Sequence, residues 1–300
     1  METNENCLIG NINKVIYHNG RYFLLDQIQA CIFIFSEEGK HLSTIHKVGT
    51  GPNEYVNITD FDVDGSDNVY VGSGNSRKII KYLFPAYNEA VERSFPHAFL
   101  EFAVDNTTGK IWIANILDYN GCIPLSLFAD NNQLQTKLSP QKFLDNVERP
   151  FKVQSFYKSG DDLYFNPRYS PYIYLIKDED VIPVFQMESD NFVSEKNFPD
   201  NPRKASTPTI VYGVKSFYKI NGTFYGERWS SAMGFPFFKY DMENLTGNLI
   251  DPLSSGIRHF SGIRAVTSDA IIIEMPADFL NKKDSNSTEL NPYLVKIKIH

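Results

Sequence analysis

One short pattern recurs six times along the 300-residue chain: a turn residue, a spacer, then three or four aromatic or β-branched positions. It reads GRYFLLD, DNVYVGS, GKIWIAN, DDLYFNP, GTFYGER and DAIIIEM, at intervals of roughly 40 to 60 residues. Each copy follows an alternating run (NKVIYHNG, TDFDVDG, LEFAVDN and so on) and precedes a third run after a loop of variable length, such as CIFIFSEEGK or KIIKYLF. Most copies add a weaker fourth run, as in HLSTIHKV and VIPVFQM. Each unit therefore reads as an antiparallel meander of four strands, with two apolar faces that it cannot bury alone. Arranged radially, such sheets cover one another. The expectation is an all-β, six-bladed β-propeller of four-stranded antiparallel blades, filling residues 1–300 as a single domain. The sixth copy ends at YLVKIKIH without a fourth run, so its blade is expected to be incomplete, with an exposed edge.

Composition agrees. The 17 Tyr and 23 Phe favour pleated, half-buried surfaces over helices. A net charge of -7, with Lys and Arg scattered, excludes a nucleic-acid footprint, which needs basic residues gathered on one face. The longest apolar runs, CIFIF and AIII, are strand-sized, so no transmembrane segment is expected. Cys7, Cys31 and Cys122 show no C-x-x-C spacing and read as buried free thiols. The first ten residues, METNENCLIG, lack the basic head and apolar stretch of an export signal.

The stretch HKVGTGPNEYVNITDFDVDG lies where the chain passes from the fourth run of the first copy to the first run of the second. Gly49 and Gly51 are expected to adopt conformations closed to other residues, and Pro52 to fix a turn dihedral. At this corner the chain resembles bacterial six-bladed β-propeller proteins related to the NHL-repeat propellers and abundant in gut anaerobes. Their pattern at this junction is G-x-G-P-G-E-Y before an acidic strand start, matched by Gly49, Gly51, Pro52, Glu54 and Tyr55, with Asn53 replacing the third glycine. Asn tolerates the left-handed conformation. The resemblance is strongest over residues 8–83. It implies residence in the periplasm or at the cell surface, with a secretory or lipoprotein signal upstream of Met1.

Several motifs lead nowhere specific. DFDVDG opens like an EF-hand loop, but Val71 stands where a bidentate Glu is needed, and the alternation of Asp60, Asp62 and Asp64 with Phe61 and Val63 also describes a half-buried strand. The glycines of GTGPNEY precede neither Gly-Lys-Ser/Thr nor a helix. G-x-S-x-G and H-E-x-x-H are absent, and the six His are dispersed. The Asn-x-Ser/Thr triplets coincide with turns, where Asn is expected anyway.

The longest loops fall on one face, where second strands run into third strands and blades join. They are expected to carry Arg77 in blade two, Tyr119 in blade three, Arg168 with Tyr169 in blade four, and Glu227, Arg228 and Trp229 in blade five. Planar guanidinium donors beside stacking rings suit an anionic or sugar-like ligand. The segment 186–208, rich in Pro, Asn and Asp, reads equally as a flexible lid over the channel or as a disordered insertion. The sequence thus points to a non-catalytic, monomeric binding propeller without a cofactor, using Arg77, Tyr119, Arg168, Arg228 and Trp229 to hold a peptide, glycan or exported protein. The alternative is a lactonase- or lyase-like enzyme with a divalent ion in the channel, for which His46, Glu54 and Asp60 are candidate ligands.

Overall fold

The structure, a computed structural model, describes residues 1–118, 121–129, 133–138, 154–194, 196–197, 209–231, 237–244, 246–250, 262–275 and 291–298. These hold 23 strands in six antiparallel sheets, five of four strands and one of three. The fold is a six-bladed β-propeller with an incomplete last blade. Blade one is β1 (Lys14–His18), β2 (Arg21–Asp26), β3 (Cys31–Ser36) and β4 (His41–Ile45). Blade two is β5 (Asp60–Val63), β6 (Val69–Ser73), β7 (Lys78–Tyr82) and β8 (Ala90–Ser94). Blade three is β9 (Glu101–Val104), β10 (Ile111–Asp118), β11 (Gly121–Phe128) and β12 (Leu134–Leu138). Blade four is β13 (Phe156–Ser159), β14 (Asp162–Phe165), β15 (Tyr172–Lys177) and β16 (Asp180–Gln186). Blade five is β17 (Val211–Ile220), β18 (Thr223–Ser230), β19 (Phe237–Asp241) and β20 (Thr246–Ile250). Blade six is β21 (Ile263–Val266), β22 (Ala270–Met275) and β23 (Tyr293–Lys298). Every recurring sequence motif became the second strand of its blade.

The chain divides into two compact units, one of residues Met1–Asn106 with His259–His300, the other of Thr107–Arg258. In the first, strand alternation sorts blade one into two cores. Phe23, Leu25, Ile32 and Ile34 pack with Phe61, Val71 and Ile80 of blade two. Tyr22, Leu24, Phe33 and Phe35 turn the other way, onto Ala265 and Ile272 of blade six and onto Cys7, Ile9 and Ile12. Cys7 and Cys31 are buried free thiols, as their isolation in sequence suggests.

β5 and β9, the first strands of blades two and three, are edge strands of their sheets, and side chains from the preceding blade bind their outer backbone groups. Asp60 Oδ2 accepts from Phe102 N at 3.1 Å and Asp62 Oδ2 from Val104 N at 2.7 Å, tying β5 to β9. Lys14 on β1 reaches β5, donating to Asp60 Oδ1 and to Phe61 O, each at 2.8 Å. Burial opposes the Lys14 charge, but Asp60, Asp62 and Glu101 outweigh it and hold the ammonium above the usual lysine range. The carboxylates of DFDVDG are therefore structural. Asp64 completes the set by closing the β5–β6 turn, accepting from Ser66 N and Asn68 N at 3.0 Å, with Lys81 Nζ 3.1 Å away.

The GTGPNEY corner differs from expectation in one respect. Neither Gly49 nor Gly51 has a positive φ; the left-handed residue is Asn53, at φ 58°. Gly49 serves by its lack of bulk, since a Cβ there would lie 1.9 Å from Glu54 Oε2, a carboxylate that accepts from Gly51 N at 2.9 Å. Tyr55 is fully buried, its hydroxyl accepting from Lys47 N and donating to Ile45 O. A tight turn has formed around one carboxylate and one phenol.

Candidate binding site on blades four and five

Within the second unit, blades four and five meet through polar side chains and rings. β17 is an edge strand of its sheet, and its carbonyls find donors in blade four: Tyr157 Oη gives to Lys215 O and Asn166 Nδ2 to Val214 O, both at 2.7 Å. Phe185 stacks on Phe238 at 5.6 Å, and Lys219, also on β17, pairs with Asp162 at 3.2 Å.

Bulges between Val211 and Gly213 and between Val214 and Ser216 distort β17 where the loop 166–171 approaches. Gly213, at φ 132°, admits that loop: a Cβ there would sit 3.1 Å from Ser170 O. Behind the contact lies a cluster of Tyr169, Tyr212, Trp229, Val193 and Ile210. The Trp229 ring is 5.0 Å from Tyr169 and 5.1 Å from Tyr212, centre to centre. Burial pushes the Tyr169 phenol up to about 12 against the opposing charge of Arg168.

The expected site residues are placed as follows. Arg168 is partly buried in the β14–β15 loop, next to Tyr169. Arg228 is not on a loop: β17 and β18 form a long hairpin in which Arg228 lies opposite Val214 and Trp229 opposite Gly213. Trp229 is 4% exposed, so it offers no open stacking face. Arg77 belongs to the other unit, exposed in the β6–β7 turn at φ 56° with Nη1 3.5 Å from Pro96 O. Tyr119 lies outside the described residues. Part of the segment 186–208 packs on the same cluster: Phe192 lies against it and Val193 N donates to Val211 O at 2.8 Å, while residues 195 and 198–208 lie outside the described residues.

The charges around Arg228 are unevenly matched. Glu227 is 3% exposed, and its carboxylate is engaged by Ser216 Oγ at 2.9 Å and Lys215 Nζ at 3.4 Å. Strand alternation points Arg228 to the opposite face. Its Nε is buried and has no hydrogen-bond partner among the described residues, as have Ser230 Oγ and Asn166 Oδ1. Asn166 and Ser230 went unread in the sequence: Asn166 lies in the repeat DDLYFNP with nothing to mark it out, and its amide reaches Val214 O only because blade four meets blade five.

A cavity of about 740 Å³ lies in the first unit between residues 5–10 and blade one, lined by Glu5, Gln29, Cys31, Phe33, Thr44 and His46. Its chemistry is muted. Burial pushes the Cys31 thiol up to about 12, Gln29 Nε2 is held by Leu8 O and Asp26, and Thr44 Oγ1 pairs with His41 Nε2. Among the described residues no group of His, Cys, Asp or Glu is arranged to hold a metal. His46 lines this cavity, Glu54 caps its own turn and Asp60 binds Lys14, so the three do not form a ligand set.

A family model described as 6-bladed beta-propeller, DUF5128, matches residues 1–222. The chain belongs to that family. Its fold is similar to that of a Bacteroides fragilis protein proposed to be exported, with a TM-score of 0.79 and 13% identity, covering 100% of this chain and 93% of that one. A member of the DUF4221 family from Bacteroides vulgatus matches with a TM-score of 0.58 and 10% identity, over 98% of this chain and 93% of that one. A streptogramin B lyase matches with a TM-score of 0.50 and 14% identity, over 90% of this chain and 78% of that one. No curated protein matches in sequence. At such identities these structures share the fold alone. No helix among the described residues is long and apolar enough to cross a membrane.

Proposed function

We propose that this chain is a non-catalytic binding propeller that captures its ligand on blades four and five, with Arg168 and Arg228 as the gripping residues and Trp229 as their support. The observation that carries this reading is Arg228. It is a partly buried cation whose neighbouring acid is already engaged, and its Nε lacks a partner among the described residues. A charge withdrawn from water without a counter-ion is costly, and a bound anionic or strongly accepting group relieves that cost. The aromatic cluster beneath holds the site in one shape, which limits the entropy lost on binding. Resemblance to a protein proposed to be exported supports a ligand met outside the cytoplasm, such as a peptide, a glycan or an exported protein.

The test is retention on an array of immobilised glycans and peptides by the wild type and by the double variant R168A/R228A. The wild type is expected to be retained by a subset of features that the variant no longer recognises, with both proteins equally folded by circular dichroism. Equal retention by the variant, or none by the wild type, overturns the assignment.

A further inference from the structure

We infer that the cavity beside residues 5–10 in the first unit is a second binding site, and that its ligand is a small organic cation, a protonated amine carried on an apolar body. At about 740 Å³ the cavity falls within the range of small-molecule sites. One wall is a face of blade one. Cys31 and Phe33 stand two apart on β3, and Thr44 of β4 is the cross-strand neighbour of Phe33, so the three share that face. The other wall is the segment 5–10, where Leu8 and Ile9 add apolar surface and Glu5 and Asn6 are exposed. Both walls are fixed before a ligand arrives. The fully buried Asp26 accepts from Gly10 N at 2.8 Å and Asn11 N at 3.0 Å with one oxygen, and from Ile28 N and Gln29 N, each at 3.0 Å, with the other. Its carboxylate thus joins the end of the segment to the β2–β3 turn. Asn291 holds the middle, accepting from Ile9 N and donating to Cys7 O, each at 2.7 Å. A cavity with walls tied in this way loses little freedom when it is filled.

The polar groups at the rim select the ligand. Among the described lining residues Glu5 carries the one formal charge, and none is Lys or Arg. Glu5 is exposed and has no ion pair or hydrogen bond among the described residues. Both donors of Gln29 are engaged: Nε2 gives to Leu8 O at 2.9 Å and to Asp26 Oδ2 at 2.8 Å. Those partners only accept, so the amide nitrogen must face them, and the remaining polar atom, Oε1, is an acceptor. A carboxylate and an amide oxygen therefore stand over an apolar floor. An ammonium supplies three donors and the matching charge, while its hydrocarbon body rests against Phe33 and Leu8. An anion meets Glu5 with like charge, and the net charge of -7 on the chain adds to the repulsion. The Cys31 thiol in the wall, pushed up to about 12, stays neutral, so the ligand is held without being attacked.

The experiment is calorimetric titration of the full chain, near neutral pH, with probes that share an indole body: tryptamine, its neutral counterpart tryptophol, and indole-3-acetate. Tryptamine is expected to bind at a single site, about fivefold more tightly than tryptophol, the scale of one exposed charge pair. Indole-3-acetate is expected not to bind. Glu5→Gln, at an exposed position without partners among the described residues, should erase the preference, so that tryptamine and tryptophol bind alike. Leu8→Trp, which fills the cavity, should abolish binding of both, with an unchanged circular dichroism spectrum. If Leu8→Trp does not fold, Glu5→Gln alone decides. The assignment is overturned if tryptamine does not bind or if the acid binds as tightly as the amine. It is equally overturned by an amine preference that survives Glu5→Gln, or by full tryptamine binding in folded Leu8→Trp.

Discussion

Replacing Lys14 by Met probes how the first unit holds its blades together. The side chains of Lys14 and Asp60 are 11% and 8% exposed and in contact at 2.8 Å. Met keeps the aliphatic stem but removes the ammonium, leaving Phe61 O without its donor and Asp60 without its counter-ion. Breaking a buried pair from one side costs about 3 to 5 kcal/mol. Asp60 still accepts from Phe61 N and Phe102 N, which favours the lower end, about 3 kcal/mol. In urea, with a slope of about 3 kcal/mol/M, the midpoint should fall by about 1 M. The double variant K14M/D60N should be less destabilised than the sum of the singles by roughly 1 to 3 kcal/mol, because the two side chains touch. The pH dependence has a definite sign. The folded pKa of Lys14 is raised, so its stabilisation is fully present below the unfolded lysine value and is lost as pH rises through the folded one. The gap between wild type and K14M should therefore be constant from neutrality to about pH 10 and shrink above it. A midpoint change below about 0.3 M, or strict additivity in the cycle, would refute the idea that this pair links β1 to β5.

Other substitutions test separate parts. Trp229→Ala should cost about 3 to 5 kcal/mol by emptying the cluster shared with Tyr169 and Tyr212, measured by thermal unfolding. Gly74→Ala should destabilise by about 1 to 3 kcal/mol, because the new Cβ would lie 1.9 Å from the Phe99 carbonyl and backbone must move. Tyr55→Phe removes both hydrogen bonds of the corner phenol and should cost about 1 to 3 kcal/mol in the same assay. Cys31, buried and with its thiol pushed up to about 12, should resist iodoacetamide at pH 8 in the native protein and react only on unfolding, as mapped by peptide mass spectrometry.

The architecture was legible because each blade repeats one local signal, a turn followed by alternating or continuous apolar residues, and strand pairing within a meander is local. GRYFLLD and DAIIIEM, far apart in sequence, gave equivalent strands for that reason. Asn53 was also readable, since Asn tolerates the conformation that the turn demands. Three features were not. The roles of Gly49 and Gly51 depend on where the Glu54 carboxylate folds back, which spacing does not reveal. Arg228 and Trp229 looked like loop residues because the bulged β17–β18 hairpin runs further than the other hairpins of its unit that bear on the site. The strand assignment then reverses their meaning: Trp229 becomes core while Arg228 points away from Glu227. Asn166 reaches β17 only because blade four meets blade five, a long-range pairing with no trace in either local sequence.

The most direct test of the account is crystallographic. A crystal soaked with 3-bromolactate, an acid with a hydroxyl beside its carboxylate and a bromine that marks it by anomalous scattering, should show a peak close to the Arg228 guanidinium, absent from R228A crystals treated alike. A peak that persists in R228A, or bromine found only at other cationic surfaces, would contradict the claim that blades four and five form the binding site.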